Sequence, residues 1–268
     1  AGKFIPHIAS VLRELHPDVP LRGIAIGDGW VSPGIQARSQ VAFAFELGFI
    51  DTRERLAVEH ELDRADREFT DGDPALAYRI QNDVEQRMLA CAGQPDIFDV
   101  RRWSDAADAD TLTRYLNQPA FLSSVGLEND ATWAPATDDS PVARALESDG
   151  MRDALPLLAR LVDEIEVLVY TGNFDMSCGY AGAERMLAAM DWSGRDRWSR
   201  VDRLIWTDAD GTTLGYVKQW ERLTQVVIPG AGHLAPADQP VATRRMIEQW
   251  MAHEPFVGTY PPAHVRVE

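Results

Sequence analysis

Three short apolar runs, each closed by glycine, constrain this chain more than any other feature. They are Leu21-Arg-Gly-Ile-Ala-Ile-Gly-Asp-Gly-Trp30, Glu166-Val-Leu-Val-Tyr-Thr-Gly172 and Leu223-Thr-Gln-Val-Val-Ile-Pro-Gly-Ala-Gly232. A strand with one face in water alternates apolar and polar residues, whereas a strand covered on both faces is apolar throughout. None of the three runs alternates. Helical spacing surrounds them, at 5–15 before the first, 141–163 ahead of the second, 181–190 after it and 241–251 after the third. The pattern predicts α/β architecture, with a parallel sheet flanked by helices.

A chain of 268 residues with 45% hydrophobic content is long enough to bury a substantial core. Between the first and second strands, residues 33–140 are dominated by helical periodicity and charge, and are expected to form an inserted helical subdomain. In that stretch Arg53-Glu-Arg-Leu-Ala-Val-Glu-His-Glu-Leu-Asp-Arg64 sets opposite charges three and four residues apart, as on an exposed helix face. The Asn-, Asp-, Thr- and Pro-rich stretch 126–140 reads as a loop. A hairpin is expected where 203–207 and 214–220 flank Asp208-Ala-Asp-Gly211. That turn lacks the ligand ladder and closing Glu of a calcium loop.

Composition removes several function classes. With 26 Lys+Arg against 42 Asp+Glu the formal charge is −16, and no basic cluster relieves it, so nucleic acid is not an expected partner. No apolar run approaches the roughly 20 residues that cross a bilayer. Nothing at the N-terminus resembles an export signal. Two cysteines, Cys91 and Cys178, offer no metal spacing and at most one disulfide. No cofactor or metal is expected. Gly27-Asp-Gly29 falls short of a dinucleotide fingerprint, because Ser32 stands at the third glycine position and Pro33 follows where a helix should begin. His60-Glu61 lacks a second histidine four residues on, where Arg64 stands, and reads as solvated helix charge.

The loops after the second and third strands carry the chemistry. Asp175 follows one and His233 the other, 58 residues later. Loops after neighbouring parallel strands converge at the carboxyl edge of the sheet. Acid followed by histidine is the order of an α/β-hydrolase triad, in which the carboxylate fixes the imidazole tautomer and the imidazole deprotonates a serine. No G-x-S-x-G occurs, and Ser177 lies in the acid's own loop, a poor position for the nucleophile.

The chain resembles the serine carboxypeptidase family at five ordered places. Ala1-Gly-Lys-Phe-Ile-Pro6 is similar to the end of that family's nucleophile segment, Gly-Glu-Ser-Tyr-Ala/Gly-Gly-Lys-Tyr/Phe-Ile/Val-Pro. Residues 21–33 are similar to its Gly-Ile-Ala-Ile-Gly-Asn-Gly strand and turn, and Tyr115-Leu-Asn-Gln-Pro119 to its Tyr-Leu-Asn-x-Pro. Residues 167–178 resemble its acid motif, and 215–224 with 230–240 its closing hairpin and histidine motif.

The resemblance implies an α/β-hydrolase fold, here the C-terminal part of the parallel sheet, in three parts. Residues 1–32 would be core, 33–140 a helical cap, and 141–268 core carrying the acid and histidine loops. It implies removal of C-terminal residues from peptides through an acyl-enzyme, with Asp175 and His233 catalytic and Cys178 and Leu234 lining substrate pockets. Leu234 replaces the commoner methionine. The serine would lie two positions before Ala1, and the oxyanion glycines and the Asn and Glu that recognise the substrate carboxylate would also belong to the part before Ala1. The expectation is therefore a C-terminal portion, paired with an N-terminal chain or segment or else inactive alone, with long sheet edges and an apolar face left open. Acyl transfer and a non-catalytic binding role remain open beside hydrolysis, as does a homodimer. Family analogy points to a secreted or periplasmic location, vacuolar or lysosomal in a eukaryote.

Overall fold

The computed structural model describes residues 1–103, 109–127, 132–134 and 140–260. The chain opens with helix α1 (Phe4–Leu15) and strand β1 (Gly23–Gly27). It continues through α2 (Pro33–Glu46), α3 (Thr52–Thr70), α4 (Pro74–Cys91), α5 (Ala109–Leu116), α6 (Pro119–Ser124), α7 (Pro141–Gly150) and α8 (Leu155–Val162). Next come β2 (Glu166–Gly172), α9 (Tyr180–Ala189), α10 (Arg195–Trp198), β3 (Leu204–Thr207), β4 (Thr213–Trp220), β5 (Leu223–Ile228), α11 (Ala235–Asp238), α12 (Pro240–Ala252) and β6 (Gly258–Thr259).

The six strands among the described residues form one sheet in the order β1-β2-β5-β4-β3-β6. The three apolar runs are β1, β2 and β5, adjacent and parallel. β4 and β3 extend the sheet antiparallel as the expected hairpin, turning at Asp208–Gly211, where Gly211 has φ +86°.

Both faces of the sheet are covered, which explains the lack of alternation and corrects the expectation of an open apolar face. On one side Ile24, Ile26, Val167, Val169 and Leu223 pack against α1, α8 and α9 through Ala9, Leu158, Leu161, Ala183, Met186 and Leu187. On the other, Leu168, Val217, Val226 and Ile228 pack against α12 through Ala242 and Met246. Every residue of β5 is buried.

Two details differ from the sequence expectation. The helical stretch at 141–163 is two helices, α7 and α8, broken at 151–154. Helix α2 begins at Pro33, because proline lacks only an amide that the first helical turn leaves unpaired anyway. Proline there is thus no obstacle to a helix, and the dinucleotide reading fails on Ser32 alone.

Between β1 and α8 every regular element among the described residues is a helix. α3 starts with a capping box, in which Glu54 N–H donates to Asp51 Oδ1 and Asp51 N–H to Glu54 Oε2, each at 2.8 Å. Its Arg55–Glu59 and Arg64–Glu68 pairs stand one turn apart on the surface, as the charge spacing predicts, with His60 exposed among them. α2, α3 and α4 share a second core of Val41, Val58, Leu62, Val84 and Met88, reaching Met176 beside the acid loop. Of the loop expected at 126–140, residues 128–131 and 135–139 lie outside the described residues.

Candidate active site

The carboxyl ends of β1, β2 and β5 lie side by side, and each is followed by one ionisable side chain: Asp28, Asp175 and His233. His233 Nδ1 lies 2.9 Å from Asp175 Oδ2. An ionised carboxylate can only accept, so Nδ1 carries the proton and Nε2 presents its lone pair. The Asp175 side chain is fully buried while that of His233 is 27% exposed, so the acid is shielded and the base faces outward. Cys178 N–H donates to Asp175 Oδ1 at 3.1 Å, which holds the carboxylate from its other side.

Backbone bonds stitch the two loops together. Phe174 N–H donates to Ala231 O at 2.9 Å, and Gly230 N–H to Asn173 Oδ1 at 2.9 Å. The approach at the end of β2 is close enough that a Cβ on Gly172 would collide with the carbonyl oxygens of Gly232 and Ala231. Only glycine fits there, which is why the second apolar run ends on one.

A segment that sequence reasoning does not single out, 96–102, straps both loops. Met176 N–H and Ser177 N–H donate to Ile97 O, at 3.0 and 3.1 Å, while His233 N–H donates to Phe98 O at 2.7 Å. The Phe98 ring packs against the imidazole with centroids 4.9 Å apart. Arg101 clamps Asp99 with two bonds of 2.8 Å and donates to Gly230 O at 2.9 Å. Asp238 faces Arg102 at 3.3 Å and accepts Gly232 N–H at 2.7 Å. The Arg101 hydrogen bonds hold Asp99 below the usual carboxylate range. The signal in the sequence is the dense Asp96-Ile-Phe-Asp-Val-Arg-Arg102, whose charges point to partners distant along the chain.

Cys178 is buried, and burial followed by the Asp175 charge pushes its thiol far above the ordinary range. Its Sγ lies 3.7 Å from Ser177 Oγ, so Ser177 is engaged with sulfur rather than with His233. Asp175, Cys178 and His233 bring one donor atom each within 4.8 Å of one another, the only such trio of potential metal ligands among the described residues. A thiol held in its protonated form is a poor ligand, so the trio suits proton handling better than metal binding. Leu234 is 66% exposed beside the histidine. Cys178 and Ser177 reach a cleft of about 410 Å³ between α1, α2 and α4, lined also by Lys3, Trp30, Gln40 and Glu85.

A mixed sheet whose parallel strands are covered on both faces, with a buried acid and an outward-facing histidine on adjacent strand ends, defines a protein of the α/β-hydrolase fold. Residues 1–253 match the family described as serine carboxypeptidase, and the chain belongs to it. It is 27% identical to serine carboxypeptidase-like 50 of Arabidopsis thaliana over 264 residues, covering 96% of this chain and 58% of that protein. It is 28% identical to the probable serine carboxypeptidase CPVL of Dictyostelium discoideum, covering 96% of this chain and 53% of that protein. Among solved structures, a prohormone-processing carboxypeptidase of Saccharomyces cerevisiae, Kex1(delta)p, superposes with a TM-score of 0.74 at 18% identity, covering 94% of this chain and 60% of that one. The chain thus spans a little over half the length of the curated relatives it matches.

Proposed function

We propose that this chain supplies the acid and the base of a serine carboxypeptidase-type hydrolase, acting on peptides with a free C-terminus. A serine outside residues 1–268 attacks the last peptide carbonyl while His233 Nε2 takes its hydroxyl proton. Asp175 keeps the proton on Nδ1 and stabilises the imidazolium that forms. The imidazolium returns its proton to the departing amine, leaving an acyl-enzyme ester. Water, deprotonated by the same Nε2, attacks that ester; the imidazolium then gives its proton to the departing serine oxygen, releasing the shortened peptide. Cys178 and Leu234, flanking the acid and the base, would contact the substrate side chains, and the helices of 33–140 would act as a cap.

The observation that carries this reading is the 2.9 Å bond between His233 Nδ1 and a fully buried Asp175. It orients the imidazole for Nε2 to act. Two surfaces support a serine-bearing N-terminal segment as companion. Among the described residues β1 ends the sheet, paired on one side only, by β2. Next to it α1 turns Phe4, Ile8, Val11 and Leu15 outward, between 51% and 66% exposed, in one stripe. Among the described residues no helix is long and apolar enough to cross a membrane. An exported location is our proposal by family analogy.

The test is release of the C-terminal amino acid from a blocked peptide by the protein together with its N-terminal segment. Turnover that His233→Ala abolishes supports the reading. Absence of turnover, or turnover that this substitution leaves intact, would overturn it.

A further inference from the structure

Asp28 occupies the turn after β1, next to the acid but outside the chemistry described above. Its carboxyl group is buried, and the residue is 4% exposed. Oδ1 accepts Gly172 N–H at 2.8 Å, while Oδ2 is buried with no hydrogen-bond donor among the described residues. The side chain that acts on it most strongly is another carboxyl, that of Asp175, three residues past the Gly172 amide that Oδ1 accepts. Two ionised carboxylates so placed repel and share no proton, and a buried acceptor left bare is costly. One proton removes both problems if Oδ2–H donates to Asp175.

The turn is built to hold this position. Asp28 N–H extends the β-ladder to Tyr170 O at 2.8 Å. Gln36 Oε1 accepts the amides of Val31 and Ser32 at 2.7 and 2.9 Å, and its Nε2 donates to Gly29 O at 2.8 Å. Asp28 itself has φ +44°, a left-handed conformation that Asp, Asn and Gly accept and most residues resist.

We propose that Asp28 is a positioning residue for the triad acid, a neutral carboxylic acid whose Oδ2–H donates to Asp175 and holds that carboxylate in line with His233. Asp175 then receives three donors, from Cys178 N–H, His233 Nδ1–H and Asp28 Oδ2–H, and carries the only negative charge of the pair. The ionisable groups facing Asp28 favour its neutral form, against the Gly172 amide, whose bond to Oδ1 favours the ionised one. Asp175 and Asp238 are acidic, and Tyr170 and Cys178, whose proton affinities are raised first by burial, add no cation. Burial first, then the Asp175 charge, pushes Asp28 up to about 9, so it keeps its proton throughout the neutral range.

This role deepens the proposed hydrolase site and rests on that reading, but its test requires no turnover. In protein labelled with carbon-13 at aspartate Cγ, one resonance is expected to keep its protonated position at about pH 7, well above the ordinary aspartate range, and to vanish in both Asp28→Asn and Asp28→Gly. Both variants suit the left-handed turn. In Asp28→Asn the new side-chain amide can still donate to Asp175, whereas glycine cannot. The downfield proton of His233 Nδ1–H should therefore persist in Asp28→Asn and shift or broaden in Asp28→Gly. Complete titration of every aspartate below about pH 6 would overturn the proposal, as would an unchanged imidazole proton in Asp28→Gly. If those signals hold while the complete protein hydrolyses no peptide, the hydrolase reading fails and the hydrogen bond stands.

Discussion

At Asp175 one buried carboxylate decides what the imidazole can do. Replacing it with Asn puts an amide donor before Nδ1, so the ring switches tautomer and Nε2 holds a proton, where the proposed mechanism needs it to take one. We expect Asp175→Asn to leave the melting temperature within a few degrees and lower kcat by on the order of 10³- to 10⁴-fold, measured on the serine-bearing protein. Asp28 gives a pH dependence of the opposite sign to most acids. The folded state keeps its proton up to about pH 9, and the unfolded chain releases it near the model-compound value of 3.8. Between those limits the folded state binds the extra proton. Stability therefore falls as pH rises, by up to about 1.4 kcal/mol per pH unit for one proton. Thermal melts across this window should show that slope in the wild type and a flatter profile in Asp28→Asn. Asp99 behaves conversely. Its contribution, held by Arg101, is present at neutral pH and disappears as pH falls through its lowered folded-state value.

Among the elements, those resting on local patterns are readable in the sequence and those resting on distant contacts are not. The three glycine-closed runs are β1, β2 and β5, because coverage on both faces erases alternation regardless of what covers them. The pairing of Asp175 with His233 is readable for a related reason, since residues after adjacent parallel strands meet at one edge. The strap at 96–102 is not. Its amides and carbonyls pair with Phe174, Met176, Ser177 and His233, more than 70 residues away, and no local spacing records that. Asp28 reads in the sequence only as a residue between turn glycines, because its neighbour Asp175 lies across the strand pair. The strap matters energetically because Asp99 is 3% exposed and its charge depends on two arginines. Arg101→Ala should cost about 1–3 kcal/mol in denaturant unfolding, more than an ordinary surface ion pair. It should also speed amide exchange at Gly232 and His233, whose N–H groups the strap network holds.

For the whole molecule, a net charge of −16 and an extensive buried core coexist with a sheet edge at β1 that no other described strand pairs and an apolar stripe on α1. An exposed Ile or Leu alone means little, but four apolar side chains on one helix face beside an open strand form a docking surface in kind. The double substitution Ile8→Glu, Leu15→Lys should leave the melting of this chain nearly unchanged, within about 1 kcal/mol, since neither side chain is in the core. It should weaken association with a serine-bearing N-terminal segment, as read by light scattering after size exclusion. The central claim is that Asp175 and His233 serve a serine located outside these 268 residues. Fluorophosphonate labelling of the serine-bearing assembly, followed by peptide mapping, tests it most directly. The expected result is one adduct on a serine beyond residues 1–268, lost in His233→Ala. An adduct on Ser177 or any other serine of this chain, undiminished labelling of His233→Ala, or no labelling of the assembly would contradict it.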